Sequence, residues 1–235
     1  MTRLLITTAW DTRLQIRNGF YYAAALMIAM WVPLLRLLPD SIVPKLLPPL
    51  ILGNLVINTF YFVGALVLLE KREGTLQAQV VTPLRTWEYL AAKVASLTLL
   101  SLVENVLIVV AVFGMRVNLA PIVLGIVAAS TMFTLAGFVA VARYESINEY
   151  LLPSMLYVIV FTLPLASTFV GWDHWIFYLH PLQAPLVLLQ AGFQPEPAWR
   201  WLYGILYSLV WVAPAYYWTR TAFNRHIIAR QGAVV

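Results

Sequence analysis

The 235-residue chain has no cysteine and little charge: Asp, Glu, Lys and Arg make up 11% of it, against about 25% in a typical soluble domain. Without cysteine there is no disulfide framework, thiolate metal site or cysteine nucleophile. His174, His180 and His226 fall in separate segments without HExxH or paired-ligand spacing, so no metal site is expected. No GxxxxGK[ST] occurs, and the loops between apolar runs are too short to hold a nucleotide-binding fold. No serine has a partner base at comparable depth, which leaves no hydrolase constellation. Short-period repeats, low-complexity tracts and a separate soluble domain are also missing.

What the chain has is apolar surface, 62% of its residues. A spanning helix needs about 20 mostly apolar residues, and six stretches qualify: roughly 20–38, 48–69, 89–113, 120–142, 150–170 and 201–218. The expectation is one all-α transmembrane domain over 1–235 with six spans. Residues 171–200, broken by proline and glycine, are expected to form a re-entrant or interfacial segment outside the cell. The N-terminus does not read as a cleavable signal, because Asp11, Arg13 and Arg17 interrupt any apolar core. Leu4, Leu5, Ala9, Trp10 and Leu14 recur at helical spacing with Arg3, Asp11 and Arg13 largely elsewhere on the wheel. Residues 1–18 are therefore expected to form an amphipathic helix on the membrane surface.

The net charge of +5 is better matched to anionic lipid and to membrane orientation than to nucleic acid, because the basic residues flank apolar spans. Arg3, Arg13, Arg17, Lys71, Arg72, Arg85, Lys93, Arg143, Arg220, Arg225 and Arg230 fall on one side of the predicted membrane. Only Arg36, Lys45, Arg116 and Arg200 fall on the other. The positive-inside rule then puts both termini and the loop after the second span in the cytoplasm, with aromatic belts at Trp199 and Trp201 and at Tyr216, Tyr217 and Trp218.

Polar residues inside spans are costly, about 2.5 to 3.5 kcal/mol for a charge on insertion scales. Glu104 lies deep in the third span beside Asn105, and Thr98, Ser101 and Asn105 share one face. Asn54, Asn58, Tyr61 and Ala65 share a face of the second span, and Ser130, Thr134 and Gly137 share one of the fourth. Two readings stand beside each other. Asn54, Asn58, Tyr61, Glu104 and Asn105 line a translocation path, with Glu104 as a proton or cation site, or the stripes are packing glue between helices. Glu145 and Glu149, spaced i, i+4 in a turn, suit capping or salt bridging.

The densest charge sits in 70–90, "EKREGTLQAQVVTPLRTWEYL". Glu70, Glu73, Gly74, Thr75, Leu76, Pro83 and Lys93 follow a pattern close to E-x-x-x-G-T-L-E, then a proline, then a lysine entering the third span. This resembles the first cytoplasmic loop of type-2 ABC transporter permeases. Gln77 departs from it, standing where the family has an acid, which reduces an ionic contact to a hydrogen bond. Gly74 is suited to end the second helix, and 75–81 to form a short helix with Leu76 and Val80 on one face. Thr82 and Pro83 suit the cap and first turn of the next helix. The N-terminal helix resembles the family's connecting helix, and "YLHPLQAPLVLLQAG" its outer segment, with His180-Pro181 where the family often has Asn-Pro. "LQIRNGFYY" is similar to drug export permeases, fluoroquinolone exporters among them.

The resemblance implies that 71–88 is a coupling region, with Glu70, Glu73, Gly74, Thr75, Leu76, Gln77, Pro83 and Arg85 meeting a separate cytoplasmic ATPase. It also implies a dimer of permease chains, more readily a homodimer, in a bacterial inner membrane. ATP and Mg would sit on the partner, with no cofactor, metal or catalytic residue on this chain. The implied activity is alternating-access export of a hydrophobic or amphipathic drug or lipid-like substrate. Two rivals from other classes are an ion-driven carrier with Glu104 as coupling site and a non-transporting membrane anchor or assembly protein.

Overall fold

The computed structural model describes residues 2–76, 84–171 and 174–228. Among the described residues every regular element is a helix. Helix α1 (Thr2–Arg17) meets α2 (Phe20–Arg36) at 65°. Gly19 makes this corner with φ of 83°, a conformation that costs a glycine little.

The orientation of α1 differs from the expected one. Asp11 and Gln15 face inward and are buried, while Leu5, Ile6, Trp10 and Ile16 are exposed. Gln15 Nε2 donates to Ser96 Oγ at 2.8 Å, and Asp11 meets a buried cation. Polar groups with partners inside and an apolar face outside are what a helix needs when its outer surroundings are lipid.

Among the described residues three helices are long and apolar enough to cross a membrane: α3 (Val43–Arg72), α4 (Thr86–Phe113) and α5 (Leu119–Val141). The bent pair α1 and α2 would make a fourth if it counts as one span. Helix α3 runs through the centre of the bundle, burying Leu47, Ile51, Leu52, Leu55, Phe60, Val63 and Leu66. Between Val56 and Tyr61 it widens into a π-helical turn. A faint seam of Leu50, Gly53, Ile57, Tyr61, Ala65 and Leu69 remains partly accessible along its length.

Helix α4 starts later than expected. Leu84 and Arg85 are not helical, and the Arg85 amide donates to the Glu88 carboxylate at 2.8 Å, half of a capping box. That contact sets the start at Thr86; the expected cap pair, Thr82 and Pro83, lies outside the described residues. The run 150–170 is likewise not one rod. Helix α6 (Ile147–Thr162), opened by Ser146, is followed by α7 (Pro164–Val170), because Pro164 has no amide hydrogen to continue the ladder.

Residues 174–200 hold more helix than a proline-broken segment suggests. A 3₁₀ turn (Trp175–Leu179) leads into α8 (Gln183–Ala191), whose side chains are nearly all buried. It packs among α3, α5 and the final long helix α9 (Ala198–Phe223), which ends in a π-helical turn, Asn224–Ile228.

Gly137 of α5 lies directly against α3. A Cβ there would come within 2.7 Å of the Phe60 carbonyl oxygen and 2.4 Å of a Val63 methyl, and the backbone oxygen cannot step aside without moving the π-helical turn. Gly137→Ala is expected to destabilise the protein by about 1–3 kcal/mol, read as a lower midpoint of thermal unfolding in detergent.

Candidate functional site: a buried ion triad at the end of α3

Lys93, about two turns into α4, is fully buried. An ammonium in such a place needs anionic partners, because the desolvation cost of an isolated buried ion is several kcal/mol. Two are supplied from different helices: Nζ donates to Asp11 Oδ1 of α1 and to Glu70 Oε1 in the last turns of α3. Both carboxylates are buried, with Asp11 6% and Glu70 3% exposed. Tyr89, one turn before Lys93, donates its hydroxyl to Glu70 Oε2 at 2.6 Å, and its ring faces Nζ at 5.3 Å. Three helices therefore meet on one cation.

Burial pushes the Asp11 carboxyl up to about 6, with the Lys93 ammonium pulling the other way. Because this value lies above the ordinary carboxylate one, the proton binds more tightly in the folded chain. Protonation as the pH falls through about 6 therefore removes the Asp11 charge from its pair with Lys93 while favouring the folded, docked form over the unfolded one.

Immediately past the triad, α3 ends where the sequence placed its end. Gly74 takes φ of 71° and its amide donates to the Lys71 carbonyl at 3.2 Å. Thr75 Oγ1 donates to the Glu70 carbonyl at 3.2 Å. Lys71 Nζ donates to the Ala142 and Tyr144 carbonyls at 3.0 and 2.7 Å, tying this end to the turn after α5. Arg17 approaches Glu73 at 3.9 Å, an exposed pair of little energetic weight.

The eight residues assigned to partner contact thus divide. Glu73, Thr75 and Arg85 are exposed and Gly74 is half-buried. Glu70 and Leu76 point into the chain's own core, Leu76 with 1% exposure; the Lys93 ammonium holds Glu70 there, and apolar burial holds Leu76. Gln77 and Pro83 lie outside the described residues. The part that sequence reasoning missed is Asp11, assigned to the polar outer face of α1. The available signal was Lys93: a lysine inside an apolar run demands acids at the same depth, and Asp11 and Glu70 were the candidates.

Four of the five residues assigned to a path also come together, but inside the bundle. Asn58 Nδ2 donates to Glu104 Oε2, and Asn54 Nδ2 to Asn105 Oδ1 at 3.3 Å. Trp31 Nε1 of α2 donates to Asn54 Oδ1 at 3.1 Å, and Asn105 Nδ2 to the Ser101 carbonyl at 2.8 Å. Asn54, Asn58, Glu104 and Asn105 are all buried. Tyr61 stands apart, half-buried on the accessible seam of α3 with its ring against Phe60 and Tyr150.

A family model described as the Fluoroquinolones export permease protein family matches residues 2–231, nearly the whole chain. This chain belongs to that family. Two curated proteins of Mycobacterium tuberculosis, one from strain CDC 1551 / Oshkosh and one from strain ATCC 25618 / H37Rv, are each 33% identical to it over 237 residues. The match covers 100% of both chains in each case, and both are named fluoroquinolones export permease protein. Membership in this export permease family, together with the apolar helices, establishes a membrane transport subunit. The triad, the α3 end and the polar ladder are then features of a permease.

Lys93→Met would leave Asp11 and Glu70 facing each other without a cation. It is expected to cost about 3–5 kcal/mol, as when one partner is removed from a buried ion cluster. The triple change Asp11→Asn, Glu70→Gln, Lys93→Met is expected to regain much of that, and thermal unfolding of the two variants beside the parent measures the difference.

Proposed function

We propose that the chain is the membrane-spanning half of an ATP-driven drug exporter, in which two permease copies cross a bacterial inner membrane six times each with both termini in the cytoplasm. ATP and Mg bind to a pair of separate cytoplasmic ATPase subunits. The observation that carries the reading is the ion triad. It joins α1, the end of α3 and the start of α4 directly behind the exposed Glu73 and Thr75 and the half-buried Gly74. A push on this loop cannot move one of the three helices without the other two, since separating them strips a buried charge of its partners.

In this mechanism, closure of the ATPase pair presses on the loop, and α3 and α4 tilt together as alternating access requires. Glu73, Thr75 and Arg85 supply the outward contacts. Glu70 and Leu76 hold the loop to the helices behind it. Gln77 and Pro83 belong to the same coupling region by resemblance. The route runs between the two copies along the accessible seam of α3, with Tyr61 as its aromatic member. Asn54, Asn58, Glu104 and Asn105 keep α2, α3 and α4 in register beside it. The substrate class follows the names of the relatives: a fluoroquinolone, or another drug of that amphipathic kind.

A second reading has one observation in its favour. Glu104 Oε1 and Asn58 Oδ1 are buried without a hydrogen-bond partner, which a proton or cation on Glu104 would satisfy, as an ion-coupled carrier needs. The two readings separate cleanly. In membrane vesicles holding the permease and its partner, loss of the partner's P-loop lysine is expected to abolish fluoroquinolone export; export that persists would favour the carrier. Stable ATPase docking without any transported drug would favour the anchor. Glu104→Gln is expected to leave ATP-dependent export within about twofold of the parent, a small effect on the scale of coupling energies. Glu73→Ala and Gly74→Ala are expected to lower export on the order of tenfold while ATP hydrolysis and membrane insertion persist.

A further inference from the structure

A cleft of about 310 Å³ opens at the end of the bundle opposite the triad, where the N-terminal end of α3 meets α7, the 3₁₀ turn and α8. Its volume lies within the range of small-molecule sites, roughly 300–1,000 Å³. Unlike the apolar faces around it, the cleft is lined by charge and amides. Lys45 of α3 and Arg200 of α9 bring two cations, and Glu196 is bonded to Arg200 at 2.8 Å. Gln190 reaches Thr168 Oγ1 at 3.4 Å across the cleft wall.

Gln183 makes this more than a polar surface. Its side chain is 5% exposed, and its Oε1 has no hydrogen-bond partner. A buried acceptor left unmet costs about 1–3 kcal/mol, and α8 could carry leucine or methionine at this position without that cost. An unmet amide oxygen on the wall of a cleft that also holds two cations calls for a ligand with complementary groups.

We infer that this cleft binds a ligand that carries both an oxyanion and a hydrogen-bond donor, the oxyanion held by Lys45 and Arg200 and the donor by Gln183 and Glu196. Two sources share this chemistry. A fluoroquinolone bears a carboxylate and a protonated amine, and places a flat ring system beside Tyr178 on the cleft wall. Phosphatidylglycerol bears a phosphate and glycerol hydroxyls. The drug source rests on the export reading above and makes the cleft a way station on the far side of the membrane from the loop; the lipid source does not need that reading.

The test uses the purified full-length chain in nanodiscs without ATP or partner, so its outcome is separate from whether transport is ATP-driven. In phosphatidylcholine discs, norfloxacin is titrated by its own fluorescence and compared with its methyl ester, which lacks the oxyanion. In a second arm, retained phosphatidylglycerol is counted by native mass spectrometry. The variants are Lys45→Ala, at an exposed position, and Gln183→Leu, which removes an acceptor with no partner and is expected to keep or raise the unfolding midpoint. For a drug site, both variants weaken norfloxacin about five- to tenfold, and the ester binds the parent on the order of tenfold more weakly than the acid. For a lipid site, phosphatidylglycerol stays with the parent and is lost from both variants. Either result supports the cleft as a binding site and names its source. Binding of both ligands that is the same in parent and variants, or no binding of either to the parent, would overturn it.

Discussion

The cost of burying one ammonium organises one end of this molecule. Lys93 cannot sit inside the bundle as a lone charge, so it draws a carboxylate from α1 and another from α3, and Tyr89 closes the remaining side of Glu70. The orientation of α1 follows. With Asp11 and Gln15 turned toward α4, the helix leaves Leu5, Ile6, Trp10 and Ile16 on the outside, beside Arg3, Arg13 and Arg17. A surface helix that would have floated on polar groups is instead keyed into the bundle by them. In a buried ion cluster the energy lies less in the net stability of the cluster than in the penalty for breaking it. That asymmetry suits a junction that has to move as one piece.

Farther along α3 and α4 the same logic runs with neutral groups. Asn54, Asn58, Glu104 and Asn105 cross-link the two helices, and Trp31 extends the chain of bonds to α2. The π-helical turn, Val56–Tyr61, lies in the middle of this region. Turns of this kind leave a helix locally less regular and recur at functional positions. Here the widened turn lies beside Gly137, where α3 and α5 approach too closely for a Cβ. One end of α3 is clamped by charge and its middle is packed against glycine, while Leu50, Gly53, Ile57 and Tyr61 keep a narrow apolar face accessible.

Much of this was legible before any coordinate. Long apolar runs set the three spanning helices α3, α4 and α5, and Gly74 marked the end of α3 because left-handed backbone after a helix is a local property of glycine. What could not be read is pairing across distance. Asp11 looked solvated because its helical wheel says nothing about a lysine 82 residues away. For the asparagines a path and a packing role stood side by side, because periodicity gives a face but not the neighbour on that face. The start of α4 went astray for another reason: Pro83 offered a familiar first-turn signal, whereas Glu88 bonding back to Arg85 depends on a side chain three residues downstream. The helix in 174–200 was underestimated because proline and glycine spacing hid the short buried helix α8.

The distance between Asp11 and Lys93 has a consequence for how the chain is made. Asp11 leaves the ribosome 82 residues before its counterion, so α1 waits at the bilayer with its acid unmet while α2, α3 and the start of α4 are inserted. Its apolar face, with Leu5, Trp10 and Ile16, is what keeps it at the membrane in the meantime. The triad that turns the N-terminal helix from a tether into a structural part can close only once Lys93 has been made.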